Sequence, residues 1–523
     1  MTRIINGLFA APWNKRLTLV VLGLISIGGV AFVLYITNIA PWAYSDSAAY
    51  ITTARNIAAG RGIVLQDSNN VYTLLPLHAP LYPLTLSLPI LMGMDALQAS
   101  RWLNAILFGL TIALAGWATL RFTRSYWLAV SVAGLILFSY EPIVAFTGAM
   151  AEGLFIFFGL LSLVLVATAI HETSHQNRFL VFGGIAAGLA ILSRYTGLSV
   201  MAAGFFAVFL LIKGNLGYKL KKALIFAVPG GVLAGFWLLP VYLSTRTFGS
   251  RQIGEITGVA DKIRIYINSF LDVIGSWLPF YYRGNHIIPP TQKLFIAFVL
   301  LIVLFVIAAW KVHKNAQPYN ENGLITWGLV LAIFNITYIG LHLTTFVTAV
   351  AQPDINGRLL LPIFIAGVLL AAAAVSFINR ALPKAWLGGA TFLLLTLVTL
   401  WYFHGKVETF VFEMHNYGQG YTSNRWNENP IFENITSLRD APPLYSNNPA
   451  LVLLYTERFP KELTLDSSQT AYDLDISEGA ALILFNDITQ RDLGEAYDGF
   501  LTSVMSRYQI SYQNPEGFVF VPR

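Results

Sequence analysis

The amino-acid sequence predicts a helical membrane domain of about eleven transmembrane spans followed by a water-soluble α/β domain. Three observations predict it. Apolar residues fill 56% of the 523 positions and charged residues only 11%, with a mean hydropathy of +0.61, a composition that excludes a soluble globule. Apolar runs long enough to cross roughly 30 Å of hydrocarbon as helices recur along the chain. Acids are also segregated: 11 of the 27 lie in residues 1–403, whereas 404–523 holds 16 against 8 Lys and Arg.

The expected spans are 17–39, 102–120, 127–146, 151–170, 179–194, 196–212, 222–244, 292–310, 324–348, 359–378 and 385–403, each read from an uninterrupted apolar run. The first exceeds the apolar core of a cleaved signal peptide, and no small-x-small site precedes Pro41, so it is expected to stay as an anchor. With a cytoplasmic N-terminus, Arg3, Lys15, Arg16, Arg121, Arg124, Arg178, Lys213, Lys219, Lys221, Lys222, Lys311, Lys314, Arg380 and Lys384 all fall on the inner side, as the positive-inside rule requires. Eleven crossings then carry the C-terminus to the extracytoplasmic face, outside in a bacterium or lumenal in a eukaryote. A bacterial plasma membrane is the expected location. The formal charge of +6 follows from this topology; the cations form no basic helix or aromatic-basic patch, and nucleic acid is not an expected partner.

Cysteine is absent, which removes disulfides, thiolate metal sites and cysteine nucleophiles. Three regions lie outside the spans. The first outer loop, 40–101, carries helices expected at 47–59 and 81–94, the former ended by Gly60-Arg61-Gly62 and the latter preceded by Pro76 and Pro80; both are expected along the membrane surface. A second outer loop, 244–290, is polar, with Arg246, Arg251, Lys262, Arg264, Asp272 and Arg283. In the tail, β-like runs at 443–446, 481–485 and 517–521 alternate with helical segments around 427–438 and 493–507, which predicts a small α/β domain.

Asp46 follows the first span almost at once. A carboxylate at a hydrocarbon boundary is costly, and we read Asp46 as a catalytic base at a membrane surface; the plainer alternative is a cap on a helix starting at Ser47. Arg194 and Arg358 stand at outer ends of spans, where the positive-inside rule does not put them. A guanidinium keeps its charge and grips phosphate with two parallel donors, so both are candidate phosphate ligands, with snorkelling anchors as the alternative. Arg101, also at an outer end, and Arg55 and Arg61 in the first loop are further candidates. Glu141 precedes Pro142, where a kink is expected.

The order of short motifs resembles the GT-C superfamily of membrane glycosyltransferases, nearest the protein O-mannosyltransferase and lipid A aminoarabinose transferase group. The matching elements are Asp46-Ser47-Ala48-Ala49-Tyr50, Ala58-Ala59-Gly60-Arg61-Gly62, His78-Ala79-Pro80-Leu81-Tyr82-Pro83-Leu84, Ala151-Glu152-Gly153-Leu154-Phe155, Ser193-Arg194-Tyr195-Thr196-Gly197 and Arg358-Leu359-Leu360-Leu361-Pro362. The resemblance implies transfer of a sugar from a polyprenyl-phosphate donor to an acceptor hydroxyl, with inversion. Asp46 would be the base and Glu152 its support or the acceptor's guide. Arg194, Arg358, Arg101 and Arg61 would hold the donor phosphate, and His78, Tyr50, Tyr82 and Glu141 would meet sugar or acceptor. No cofactor is certain. Some members of the superfamily use a divalent metal, for which Asp46, Glu152 and His78 are the candidate ligands, although their spacing specifies no geometry. The expected partners are the lipid bilayer, the lipid-linked donor, and a lipid, glycan or protein acceptor. The competing readings are a polytopic transporter, which would carry its charges near the midplane, and an oligosaccharide ligase using a diphosphate-linked donor.

Overall fold

A computed structural model describes residues 15–66, 71–74, 78–246, 254, 257–277, 322–350, 352–381, 386–438, 442–466, 476–477 and 479–523. Helix α1 (Lys15–Ile36) leads to α2 (Ser45–Ala58), an antiparallel pair β1 (Val64–Gln66) and β2 (Tyr72–Leu74), and α3 (Leu81–Leu91). Then follow α4 (Ala96–Thr123), α5 (Tyr126–Phe138), α6 (Tyr140–Phe146), α7 (Glu152–His171), α8 (Gln176–Ser193), α9 (Leu198–Leu211), α10 (Leu216–Thr245) and α11 (Val259–Ser276). The later described helices of this part are α12 (Asn322–Thr348), α13 (Gly357–Ala381) and α14 (Trp386–Tyr417). The expected span 292–310 and much of the second outer loop, including Arg251 and Arg283, lie outside the described residues, as does Pro76.

Among the described residues seven helices are long and apolar enough to cross a membrane, and α5 with α6 makes an eighth if that bent pair is one span. The bend is 59° and falls where Pro142 denies its N–H and crowds the carbonyl of Phe138. The expected span 196–212 is the 14-residue α9, about 21 Å long and shorter than the hydrocarbon core. Helix α14 runs for 32 residues, so the boundary expected at 403/404 falls inside it. Glycines let the spans touch at backbone distance: a Cβ on Gly184 of α8 would lie 1.9 Å from the Phe226 carbonyl oxygen of α10, and one on Gly230 would lie 2.1 Å from that of Gly184. Small residues at such crossings are how helices gain packing in lipid.

Helix α2 is not open to a membrane surface. Ser47 to Ala54 and Asn56 are buried, because α3 covers one side and the chain end covers another: Arg55 Nη1 donates to the Leu454 carbonyl (2.8 Å). That end contains α15 (Pro430–Thr436), β3 (Leu444–Ser446), α16 (Pro449–Thr456), β4 (Lys461–Glu462), β5 (Ala481–Phe485), α17 (Asn486–Leu493), α18 (Tyr497–Arg507), β6 (Tyr508–Asn514) and β7 (Gly517–Pro522). Its five strands run in the order β4-β3-β5-β7-β6, parallel among β4, β3 and β5 and antiparallel at β7 and β6. Alternating side chains of β5 feed two cores, Leu482 and Leu484 with Phe500 and Val504, and Ala481, Ile483 and Phe485 with Ile431 and Leu451, as the two-residue period of a strand dictates.

Three distant segments meet just before α2. Trp42 N–H donates to the Thr147 carbonyl (3.1 Å) and Ala149 N–H to that of Trp42 (2.8 Å), while Tyr421 N–H donates to the Ala43 carbonyl (2.8 Å). The Trp42 indole adds a bond to the Val144 carbonyl (2.8 Å). A Cβ on Gly148 would lie 2.3 Å from that indole. Gly148→Ala should therefore displace the 42–44 segment and cost about 1–3 kcal/mol, the usual penalty of overpacking; thermal unfolding in detergent measures it, and an unchanged melting temperature would contradict this packing.

Candidate active site

Helix α2 starts at Ser45, two residues before the expected position, and its cap is Tyr44, whose N–H donates to Ser47 Oγ (3.2 Å). Asp46 is thus not the cap. It sits in the first turn, where the helix dipole favours a carboxylate, four residues past the locked Trp42. Glu152 opens α7 two residues past Met150, whose own segment is held by Trp42. The loop bridge therefore sets both carboxylates at one end of the bundle.

Two arginines arrive there from other spans. Arg194 ends α8 in extended backbone, and Arg358 is the second residue of α13. Arg194 Nη1 meets Glu152 Oε1 at 2.5 Å, Arg358 Nε meets the same oxygen at 3.3 Å, and Arg358 Nη2 stands 3.8 Å from Asp46 Oδ2. The Glu152 side chain is 4% exposed and Asp46 38%. Glu152 is thus a buried anchor needing both guanidinium groups to offset its desolvation, while Asp46 faces outward on a looser pairing. Glu152 Oε2 is buried without a hydrogen-bond partner.

Glu141 lies behind this set. Its Oε1 accepts from Trp277 Nε1 (3.3 Å), and a Cβ on Gly357 would fall 1.9 Å from its Oε2. The carboxylate therefore packs on the N-terminus of α13 beside Arg358, where the helix dipole favours it. Tyr50 and Tyr82 are buried rather than offered as open sugar platforms. Their rings pack edge-to-face at 5.3 Å, and Tyr50 also lies 5.0 Å from His78. The Tyr82 hydroxyl shares a hydrogen bond with Ser100 (2.8 Å) and accepts from Asn104 Nδ2 (3.3 Å). Burial pushes both phenols far above their usual range, so they stay protonated.

The remaining arginines stand elsewhere. Arg101 ties α4 to the end of α1, donating to the Leu34 carbonyl (2.6 Å) and Thr37 Oγ1 (3.3 Å). Arg61 reaches Asn56 Oδ1 (2.8 Å) and Glu457 (3.4 Å), and Arg55 stands 3.8 Å from the same Glu457. These two clasp the C-terminal unit onto α2 instead of meeting Arg358. No group of three His, Asp or Glu side chains suited to a metal forms among the described residues, and both carboxylates already face guanidinium groups. That donor set does not fit a divalent cation.

Sequence reading missed Trp42, Gly148, Asn104 and Gly357. Asn104 Nδ2 donates to the Gly148 carbonyl as well as to Tyr82, fixing the turn ahead of Glu152. An isolated asparagine within an apolar span was the only available signal.

Removing Glu152 leaves Arg194 with an uncompensated charge. Glu152→Ala should cost about 3–5 kcal/mol, whereas Glu152→Leu with Arg194→Leu should cost clearly less; a double-mutant cycle on thermal unfolding separates the two, and additive losses would deny the coupling. His78 supplies a pH signature. Burial chiefly lowers its pKa, against Asp46, which raises it, with Arg194 lowering it further. The unfolded chain therefore takes up a proton near pH 6.5 that the folded chain refuses, and stability falls as pH drops below that value. His78→Gln should shrink the loss of melting temperature between about pH 7 and pH 5.

Residues 92–249 match the family model described as dolichyl-phosphate-mannose-protein mannosyltransferase. No curated protein matches the chain significantly. Among solved structures, the oligosaccharyltransferase AglB from Archaeoglobus fulgidus, in complex with an inhibitory peptide and a dolichol-phosphate, is similar at a TM-score of 0.54 and 12% identity, over 98% of this chain and 75% of that one. ArnT from Cupriavidus metallidurans bound to undecaprenyl phosphate is similar at a TM-score of 0.50 and 13% identity, over 95% of this chain and 97% of that one. The chain is an integral membrane protein with the fold of the GT-C membrane glycosyltransferases, and it resembles the protein O-mannosyltransferase and aminoarabinose transferase group.

Proposed function

We propose that the protein transfers a sugar from a polyprenyl-phosphate donor to an acceptor hydroxyl at the extracytoplasmic face, with inversion. The observation that carries this reading is the pairing of a half-exposed Asp46 carboxylate with Arg358 beside the buried Glu152–Arg194 pair. Asp46 takes the proton of the acceptor hydroxyl as its oxygen bonds to the anomeric carbon. The bond from that carbon to the phosphate oxygen breaks on the opposite side, and the phosphate leaves as an anion without needing an acid. Arg358, held by its 3.8 Å contact to Asp46, turns its fork to the leaving phosphate. Glu152 keeps both arginines in place.

The contact of the C-terminal unit with α2 supports its location on the same face as Asp46, which eleven crossings from a cytoplasmic N-terminus also require. Asp46, Glu152, Arg194 and Arg358 meet at helix ends rather than along the middle of a span, which argues against a transport path.

The purified protein should release polyprenyl phosphate from members of a panel of polyprenyl-phosphate sugars. Asp46→Asn should lower turnover at least about 100-fold while leaving donor affinity largely intact, whereas Arg358→Ala should weaken donor binding as well. Release of polyprenyl diphosphate from diphosphate-linked sugars instead would favour the ligase reading, and binding of neither class would sink the proposal.

A further inference from the structure

Arg358 is the second residue of its helix, so its place depends on what holds the first turn of α13. Asn356 caps that turn, its Oδ1 accepting from Leu359 N–H (3.0 Å), which sets the local backbone but not where the turn sits. Pro362 removes a donor from the same stretch, because the Arg358 carbonyl would otherwise accept from the amide at 362. A helix start short of internal bonds is held by what packs on it.

Much of that packing comes from α11, in the loop after α10. Tyr266, Phe270, Ile274 and Trp277 recur at three- to four-residue spacing, with Arg264 and Asn268 exposed on the other side, the pattern of a helix lying with one face on the protein. Toward its start, Lys262 Nζ donates to the Val347 carbonyl (3.1 Å) and the Tyr266 ring meets Phe346 edge-on (5.5 Å), both in the last turn of α12. At its end, Trp277 packs edge-to-face on Phe364 of α13 (5.2 Å), and its Nε1 donates to Glu141 Oε1 (3.3 Å). Helix α11 is thus fastened to the helices on either side of the connection that delivers Arg358. Glu141 completes the contact: a Cβ on Gly357 would fall 1.9 Å from its Oε2 and 2.4 Å from its Oε1, so the carboxylate bears directly on the residue before Arg358. Lys406 of α14 adds an attractive charge at longer range.

We infer that Trp277 and Glu141 are positioning residues for Arg358, through which α11 sets the reach of its guanidinium toward the leaving phosphate. This role rests on Arg358 meeting the donor phosphate. The carboxylate fixes the first residue of α13 and the indole fixes Phe364, less than two turns beyond Arg358, so the two contacts together hold both the position and the direction of the helix start.

The full-length protein in detergent would be read by hydrogen–deuterium exchange and by its affinity for undecaprenyl phosphate. Glu141→Ala and Trp277→Phe should each speed amide exchange over residues 357–361 about three- to tenfold while leaving α4 unchanged, and each should weaken undecaprenyl phosphate binding by a similar factor. Glu141→Gln, which keeps an acceptor for Trp277 Nε1, should retain most of the affinity. In an Arg358→Ala background neither change should weaken binding further, because the group being positioned is gone; a merely structural role would give losses that add. Unchanged exchange at the start of α13, or additive losses, would overturn the inference. Faster exchange in the variants of a protein that binds no undecaprenyl phosphate would instead remove the donor reading and leave the brace on α13 standing.

Discussion

The site depends on a short piece of irregular backbone, residues 41–44, held between two other loops. Trp42 exchanges backbone hydrogen bonds with Thr147 and Ala149, and Ala43 accepts from Tyr421; Thr422 Oγ1 adds a bond to the Pro41 carbonyl (2.6 Å). Backbone groups near lipid need partners within the protein. Here that requirement joins the loop after α1, the turn before α7 and the exit of α14. Asp46 and Glu152 lie just beyond the two bridged segments, so the bonds that satisfy the loops also set the distance between the carboxylates. Gly420 belongs to the same arrangement: at φ 64°, with Ala43 O 2.2 Å from where a Cβ would stand, the position has room only for glycine.

The electrostatics divide the two acids. Glu152 shares one oxygen between Arg194 and Arg358 and is nearly sealed from solvent, an arrangement that is costly to make and costlier to break. It fixes the arginines in space. Asp46 keeps a part-exposed carboxylate at longer range from Arg358 and so remains accessible from solvent. Glu141 contributes from behind by packing on the first residue of α13. Buried aromatic, hydroxyl and amide groups, namely Tyr50, Tyr82, Ser100 and Asn104, form the wall on the α2 side and join α3 to α4.

The C-terminal unit is part of this architecture. Tyr421 donates its hydroxyl to Asn448 (2.9 Å) and accepts at its carbonyl from Tyr455 (2.8 Å), which draws α16 onto α2. Arg55 and Arg61 then meet Glu457 at the end of α16. Two of the cations that sequence reading considered for phosphate thus hold the unit in place. Their chemistry was legible, but their partner was not, because Glu457 lies almost 400 residues away.

Composition and apolar run length determined by themselves that the chain crosses a membrane, since no rearrangement of 56% apolar residues yields a soluble surface. Motif order likewise singled out Asp46, Glu152, Arg194 and Arg358 as candidates. Only the tertiary structure decided which arginines join the carboxylates, that Arg101 bonds the end of α1 instead, and that Tyr50 and Tyr82 are walls. It also decided the length of α9, because an apolar run records which residues prefer lipid but not where a helix must stop; the bend between α5 and α6 was legible in Pro142. The reason is general: hydropathy is a property of each residue, whereas an ion pair or a bridged loop is a property of segments that meet only when the chain is folded.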